Sequence, residues 1–288
     1  MDPTGRGYFS PMAVRSVVAA PICELAGRDP LRLTSDADGA TLILRLEAAQ
    51  DVPPENWGPS LLRMRTAKPH CYWVTAIAGE TTSEHDLGVH DERFTDVQRL
   101  PGGRWLLARG RAAGPDDPNA TVLAPDGSVE RRFHVGDAIA ELQADADGAL
   151  WAGYYDEGVF GASPPGDAGL VGFEPTGRVA FRYNDQPDAM AIDACYALNV
   201  AGPDEAWIYY YSAFRLARVS RAGIQAHWDG LPVRGFSAFA TDGARLLVAG
   251  AYGEEGQCWL LELATGEAGR LAVTDPAGQP LSAGLGHG

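Results

Sequence analysis

Lysine is almost missing from this chain. Lys68 is the only one, and the other basic residues are arginines in a background rich in alanine, glycine and proline, as a GC-rich bacterial genome would encode. Positive charge is scarce altogether: Lys+Arg is 23 against Asp+Glu 38, a formal net charge of -15. A field of that sign repels phosphate backbones and anionic lipid surfaces, so neither nucleic acid nor membrane is an expected partner. Long apolar runs are lacking too, and none approaches the roughly 18 residues of a membrane-spanning helix. The stretch from Ser16 to Cys23 is interrupted by Pro21 and followed by no small-residue cleavage site, so it reads as a first strand rather than a signal segment. Cysteines are few and dispersed: Cys23, Cys71, Cys195 and Cys258 form no C-x-x-C pair. That fits reduced thiols and a cytoplasmic location better than a disulfide framework.

Several catalytic signatures are absent as well. There is no G-x-S-x-G elbow, no P-loop and no strand-borne G-x-G-x-x-G, so a serine-hydrolase or nucleotide-cofactor reading has no support. The histidines (His70, His85, His90, His134, His227 and His287) show no H-E-x-x-H or H-x-H spacing. The turns Asp36-Ala37-Asp38-Gly39 and Asp145-Ala146-Asp147-Gly148 mimic the middle of a calcium loop, but Arg45 and Tyr154 stand where its last bidentate Glu is needed. They read as hairpin turns.

What is present is a repeat. An apolar strand, a glycine turn and a second strand recur as DVQRLPGGRWLLARG from Asp96, ELQADADGALWAGYY from Glu141, CYALNVAGPDEAWIYYY from Cys195 and AFATDGARLLVAGAY from Ala238. A weaker copy, LRLTSDADGATLILRL, begins at Leu31. Each of the four clear copies is followed by a second hairpin, with turn glycines at Gly127, Gly177, Gly223 and Gly266, spaced by 50, 46 and 43 residues. Four short strands per unit joined by glycine turns is the pattern of a propeller blade, and no stretch of comparable length has a helical apolar period.

The expected fold is therefore all-β, a β-propeller of five to six four-stranded antiparallel blades in one domain over 1–288. Readable repeats cover about 24–93, 94–136, 137–186, 187–233 and 234–275, and 276–288 opens a further, partial blade. A pair of β-sandwiches is the alternative, because the repeat spacing is uneven. The D-x-x-G-x-L-W phrasing resembles six-bladed propellers of the gluconolactonase and strictosidine synthase class, a resemblance confined to short hairpins that implies architecture only. The segments YYDEGVFG and DACYALNV are similar to those of actinobacterial propeller-like proteins.

In a blade with strands A to D counted outward from the axis, the A–B and C–D turns share one face. The B–C and D–A connections share the other. The first set is tight here, whereas AAQDVPPENWGPS, GRAAGPDDPNA, DEGVFGASPPGDAG and GEEGQ read as long B–C loops, so a site is expected on their face. Carboxylates recur at the start of the inner strand: Asp96, Glu141 and Asp193, with Ser237 in the fifth repeat. At the mouth of a channel they would hold Ca²⁺ or Mg²⁺, with Glu141 and Asp193 as acid and base; the alternative is local capping or pairing with arginine. Tyr154, Tyr155, Asp156, Glu157, Tyr210, Tyr211 and Tyr252 leave strand B towards the same face, with Tyr155, Asp156, Glu157, Tyr211 and Tyr252 the candidate ligand contacts, and Arg109 ends its own strand B as a candidate partner for an acidic ligand group. About half of the tyrosines around these strand ends are expected in the core. Two functions follow: a scaffold holding a small molecule, glycan or protein segment, or a divalent-metal-dependent hydrolase or lactonase-like enzyme.

Overall fold

A computed structural model describes residues 16–18, 28–47, 65–161, 164–275 and 277–279. It contains five four-stranded antiparallel blades, the repeat of a five-bladed β-propeller, in place of two packed sandwich sheets. The first blade is β2 (Arg28–Ser35), β3 (Thr41–Glu47), β4 (Arg65–Ala78) and β5 (Thr81–Glu92), and the second is β6 (Asp96–Leu100), β7 (Arg104–Ala108), β8 (Ala120–Leu123) and β9 (Val129–Phe133). The third is β10 (Ile139–Ala144), β11 (Leu150–Tyr154), β12 (Leu170–Phe173) and β13 (Val179–Arg182), and the fourth is β14 (Ala194–Gly202), β15 (Glu205–Tyr211), β16 (Arg215–Ser220) and β17 (Gly223–Trp228). The fifth is β18 (Ala238–Thr241), β19 (Arg245–Ala251), β20 (Glu254–Glu262) and β21 (Ala268–Thr274). The partial blade expected at 276–288 falls almost wholly outside the described residues. Among the described residues no helix is long and apolar enough to cross a membrane.

Two compact units result, one over Leu25–His227 with the first four blades and one built on Trp228–His287 with the fifth. In the second unit β1 (Ser16–Val18) adds a parallel strand outside β21, in the register Ser16↔Ala272. The strand expected at the N-terminus is thus present, as an edge addition to an already four-stranded blade.

The hairpins form where the sequence places turn chemistry. Asp36 Oδ1 accepts the N–H groups of Asp38 and Ala40, and Asp145 Oδ1 accepts those of Asp147 and Ala149. Gly39 and Gly148 supply the positive φ (79° and 83°) that closes each turn. These aspartates are engaged by their own backbone.

Within the first unit the blades pack through apolar layers. Leu44, Val74, Val97 and Leu107 fill the first-to-second layer. Leu106, Val122, Leu142 and Tyr154 fill the next, and Trp151, Phe181, Leu198 and Tyr210 the third. The inner strands run side by side, β2 by β6, β6 by β10 and β10 by β14. Two buried or half-buried amides stitch them: Gln98 donates to Thr34 Oγ1 and accepts from Ala144 N, and Gln143 donates to Leu198 O and accepts from Val200 N.

Asn119, fully buried, fixes the loop face of the second blade. Its Nδ2 donates to the carbonyls of Arg109 and Gly136, and its Oδ1 accepts from Val135 N. Asn119→Ala orphans three buried backbone groups, so chemical denaturation should show a loss of about 3 kcal/mol. A loss under about 1 kcal/mol would mean that these loops are held by other contacts.

Candidate functional site

The residues that converge on the loop-bearing side of the first unit come from three consecutive inner strands. Arg32 on β2 lies between Asp96 on β6 and Glu141 on β10. Its Nε is 3.3 Å from Asp96 Oδ1, and its Nη2 is 2.8 Å from Glu141 Oε2 and 3.2 Å from the Ala140 carbonyl. Each of the three stands two residues before an inter-blade stitch, at Thr34, Gln98 and Gln143 respectively. The common offset puts them at equivalent positions along neighbouring strands.

The charges shape one another. Burial pushes the Glu141 carboxyl up, Arg32 draws it back, and Asp96 pushes it up again, leaving it at about 7. The Asp96 charge holds Arg32 firmly protonated against its own burial. Tyr155 follows β11 and feels the same group, its phenol raised by burial and by Glu141. Cys195 on β14 is buried beside them, and burial raises its thiol well above the usual range, which keeps it a weak nucleophile. A half-buried acid that titrates near neutrality can exchange a proton at physiological pH. An arginine already engaged by two carboxylates has little capacity left for an anionic ligand.

This arrangement differs from the sequence expectation for Asp96, Glu141 and Asp193. The guanidinium of Arg32 occupies the place between Asp96 and Glu141 that a Ca²⁺ or Mg²⁺ ion would need. Asp193 does not join them: it precedes β14, where its N–H donates to Tyr211 O. Asn199 pairs with Trp207 as Gln143 pairs with Trp151, so the β14 residue equivalent to Glu141 is Ala197, and a register shift between Cys195 and Ala197 separates Asp193 from that position. Among the described residues no three His, Cys, Asp or Glu side chains converge as a metal centre requires.

Arg109 is likewise not presented to a ligand. Its side chain is 7% exposed, with Nε 3.0 Å from Glu92 Oε2 and Nη2 2.9 Å from Asp117 Oδ1. It is an internal tie between the end of the first blade and the loop after β7. The tyrosines divide where strands β11 and β15 run out of the core. Tyr154 and Tyr210 are fully buried, whereas Tyr155 and Tyr211, the next residues, are 47% and 43% exposed. Tyr252 is exposed in the second unit, packed over Gly235, where a Cβ would come within 2.4 Å of the ring. Asp156 and Glu157 are exposed in α1 (Asp156–Val159), a single turn that begins the loop after β11.

Of the four connections read as long loops, those after β7 and β11 are present and that after β3 lies outside the described residues. GEEGQ is instead the start of β20, reached from β19 by a tight turn with the register Ala251↔Glu254. Sequence reasoning also passed over Arg32, and over Phe160 and Met190, which are exposed on the same face.

No family model and no curated protein matches the sequence. Among solved structures, similarity extends to a nidogen/laminin complex at 11% identity, covering 86% of this chain and 94% of that one with a TM-score of 0.48. It also extends to Sqt1 of Saccharomyces cerevisiae (8% identity, 82% and 69% covered, TM-score 0.43). An oligogalacturonate lyase in complex with manganese is more distant (9% identity, 87% and 55% covered, TM-score 0.33). These likenesses bear on neither ligand nor reaction.

Proposed function

We propose that this chain is a binding β-propeller that holds its ligand, a small molecule or a protein segment, on the loop face of the third and fourth blades. The observation that carries this reading is the presence of two exposed rings, Tyr155 and Tyr211, at the ends of the second strands of neighbouring blades, Tyr155 beside a carboxylate pair that Arg32 already engages from within. Exposed aromatic rings on a rigid sheet end give large contact area at small entropic cost. Tyr211 is held ready: it stacks on Tyr196 at 5.8 Å with an interplanar angle of 12° and meets Phe214 edge-on at 5.5 Å.

The expected result is that a compound or peptide that raises the melting temperature also shields Tyr155 and Tyr211 from nitration by tetranitromethane, read by mass spectrometry. Tyr155→Ala with Tyr211→Ala should weaken that ligand at least about tenfold, the scale of two lost aromatic contacts. Ligands that stabilise the protein and leave both tyrosines reactive would move the site elsewhere.

Glu141 supports a second reading, in which the same face is catalytic and Glu141 is the general acid–base group. Its carboxyl at about 7 suits proton transfer. Hydrolysis of a lactone or ester panel should then follow a pH profile with an inflection near that value and vanish in Glu141→Gln. Activity retained in that variant, or absent from the wild type, removes this reading.

A further inference from the structure

Among the described residues nine large apolar side chains are exposed. Four of them, Tyr155, Phe160, Met190 and Tyr211, fall in one loop cluster of the first unit. Tyr155 and Phe160 flank α1 in the connection from β11 to β12. Met190 lies in the connection from β13 to β14, and Tyr211 ends β15. The antiparallel order of each blade puts these connections on one face. The connections adjoin one another: α1 packs near β14, the Tyr210 hydroxyl donates to Met190 O, and Tyr211 pairs with Ala194 at the end of β15, its ring stacked on Tyr196 on the side of the strand opposite Tyr210.

The exposed, unpaired charge around this patch is acidic, while Arg32, engaged by Asp96 and Glu141, and the buried Arg215, bonded to Tyr210, lie beneath it. Asp156, Glu157 and Asp188 are exposed beside it, and among the described residues no cation pairs with any of them. The nearest arginine of these connections, Arg182, is engaged by Asp167 and Asp185. Unneutralised surface carboxylates are unremarkable on a chain of net charge -15, but here they rim exposed aromatic and aliphatic side chains. Such a patch matches a partner that is both apolar and cationic.

We infer that the loop face of the third and fourth blades binds a basic peptide segment of a partner protein, in which arginines or lysines flank large apolar residues. The apolar residues seat against Tyr155, Phe160, Met190 and Tyr211. The cations reach Asp156, Glu157 and Asp188, and an arginine can also lie over the exposed tyrosine rings. This rests on the binding reading above and names its partner.

The test uses fluorescein-labelled synthetic peptides with the full chain: one in which arginines flank a leucine and a tryptophan, and one with glutamates in place of the arginines. Fluorescence anisotropy should show the basic peptide binding, with affinity falling as salt is raised from about 0.05 to 0.3 M, and no binding of the acidic peptide. Asp156→Asn with Glu157→Gln, and separately Phe160→Ser, should each weaken it several-fold with an unchanged melting temperature, all three positions being exposed. The bound peptide should shield Tyr155 and Tyr211 from nitration. Equal binding of both peptides, or no binding of the basic one, overturns the inference. If the acidic peptide or a neutral oligosaccharide shields the two tyrosines instead, the basic-partner inference falls and the loop-face reading stands. If the basic peptide binds without shielding them and is indifferent to the variants, both fall.

Discussion

Arg109→Met should cost about 3–5 kcal/mol at neutral pH, because in a poorly hydrated place it takes the guanidinium from Asp117 and leaves Glu92 only Arg132, 3.6 Å away. Glu92 and Asp117 are 12% and 19% exposed in their side chains, and each takes a hydrogen bond from the guanidinium. Burial alone would raise the Asp117 carboxyl. The Arg109 hydrogen bond, the Ala113 N–H and the Arg109 charge outweigh it and hold the group below the ordinary carboxylate range. A depressed folded-state value means that the stabilisation is present above the unfolded value and disappears as pH falls through the folded one. The gap between wild type and variant, from urea titrations, should therefore be widest above about pH 5 and should narrow in acid. Arg109→Lys should fall between, since one ammonium cannot serve both partners with the geometry of a guanidinium fork. A different outcome would restore the ligand role expected from sequence: a variant that loses under about 1 kcal/mol yet no longer lets a ligand shield Tyr155.

The blade pattern was legible because turn chemistry and strand alternation are local. The glycine turns at Gly39, Gly127, Gly148, Gly177 and Gly266 all lie at positive φ in the structure, each closing a hairpin within a four-stranded blade. The division of Tyr154 from Tyr155 and of Tyr210 from Tyr211 follows the ends of strands that are buried on both faces, where alternation alone carries no signal. The chemistry of the inner strands was harder to read because it depends on register between blades. The sequence contains the clue. Aligning the two DADG turns sets LRLTS against ELQA, which places Arg32 opposite Glu141, four residues before each first aspartate. Looking only for recurring carboxylates passes over a residue of opposite charge at the equivalent position. Asp193 misled for the complementary reason: it matches in residue type, while the register shift near Cys195 takes it out of line. GEEGQ misled because two glycines and two glutamates resemble loop composition, whereas pairing with β19 across a tight turn holds the segment as strand. Phe160 and Met190 carry no pattern in sequence, and only their exposure beside Tyr155 and Tyr211 gives them meaning.

Glu141→Gln should change the shape of the stability curve with pH more than its height. The Glu141 carboxyl is raised to about 7 from an ordinary value of 4.5, chiefly by burial, with Arg32 opposing and Asp96 adding to the rise. For a group whose folded value is raised, the stabilisation is complete below the unfolded value and is lost as pH climbs through the folded one. Wild-type protein should thus lose stability between about pH 4.5 and 7 from this residue, on the order of 2 kcal/mol after allowing for solvent at a side chain that is 23% exposed. The glutamine keeps an oxygen for Arg32, which also retains Asp96 at 3.3 Å and the Ala140 carbonyl at 3.2 Å. It carries no charge to desolvate. In the difference between wild type and variant, the slope over this window should vanish from the variant, which at pH 8 should be as stable as the wild type or more so. Carboxylates with depressed values, such as Asp117 and Asp242, act at lower pH, and His85, lowered from its ordinary value chiefly by burial, contributes equally to both proteins and cancels in their difference. A variant less stable than wild type at every pH, and most of all at pH 8, would mean that the Arg32–Glu141 ion pair outweighs the burial of its charge, and that Arg32 is held chiefly by Glu141 rather than by Asp96.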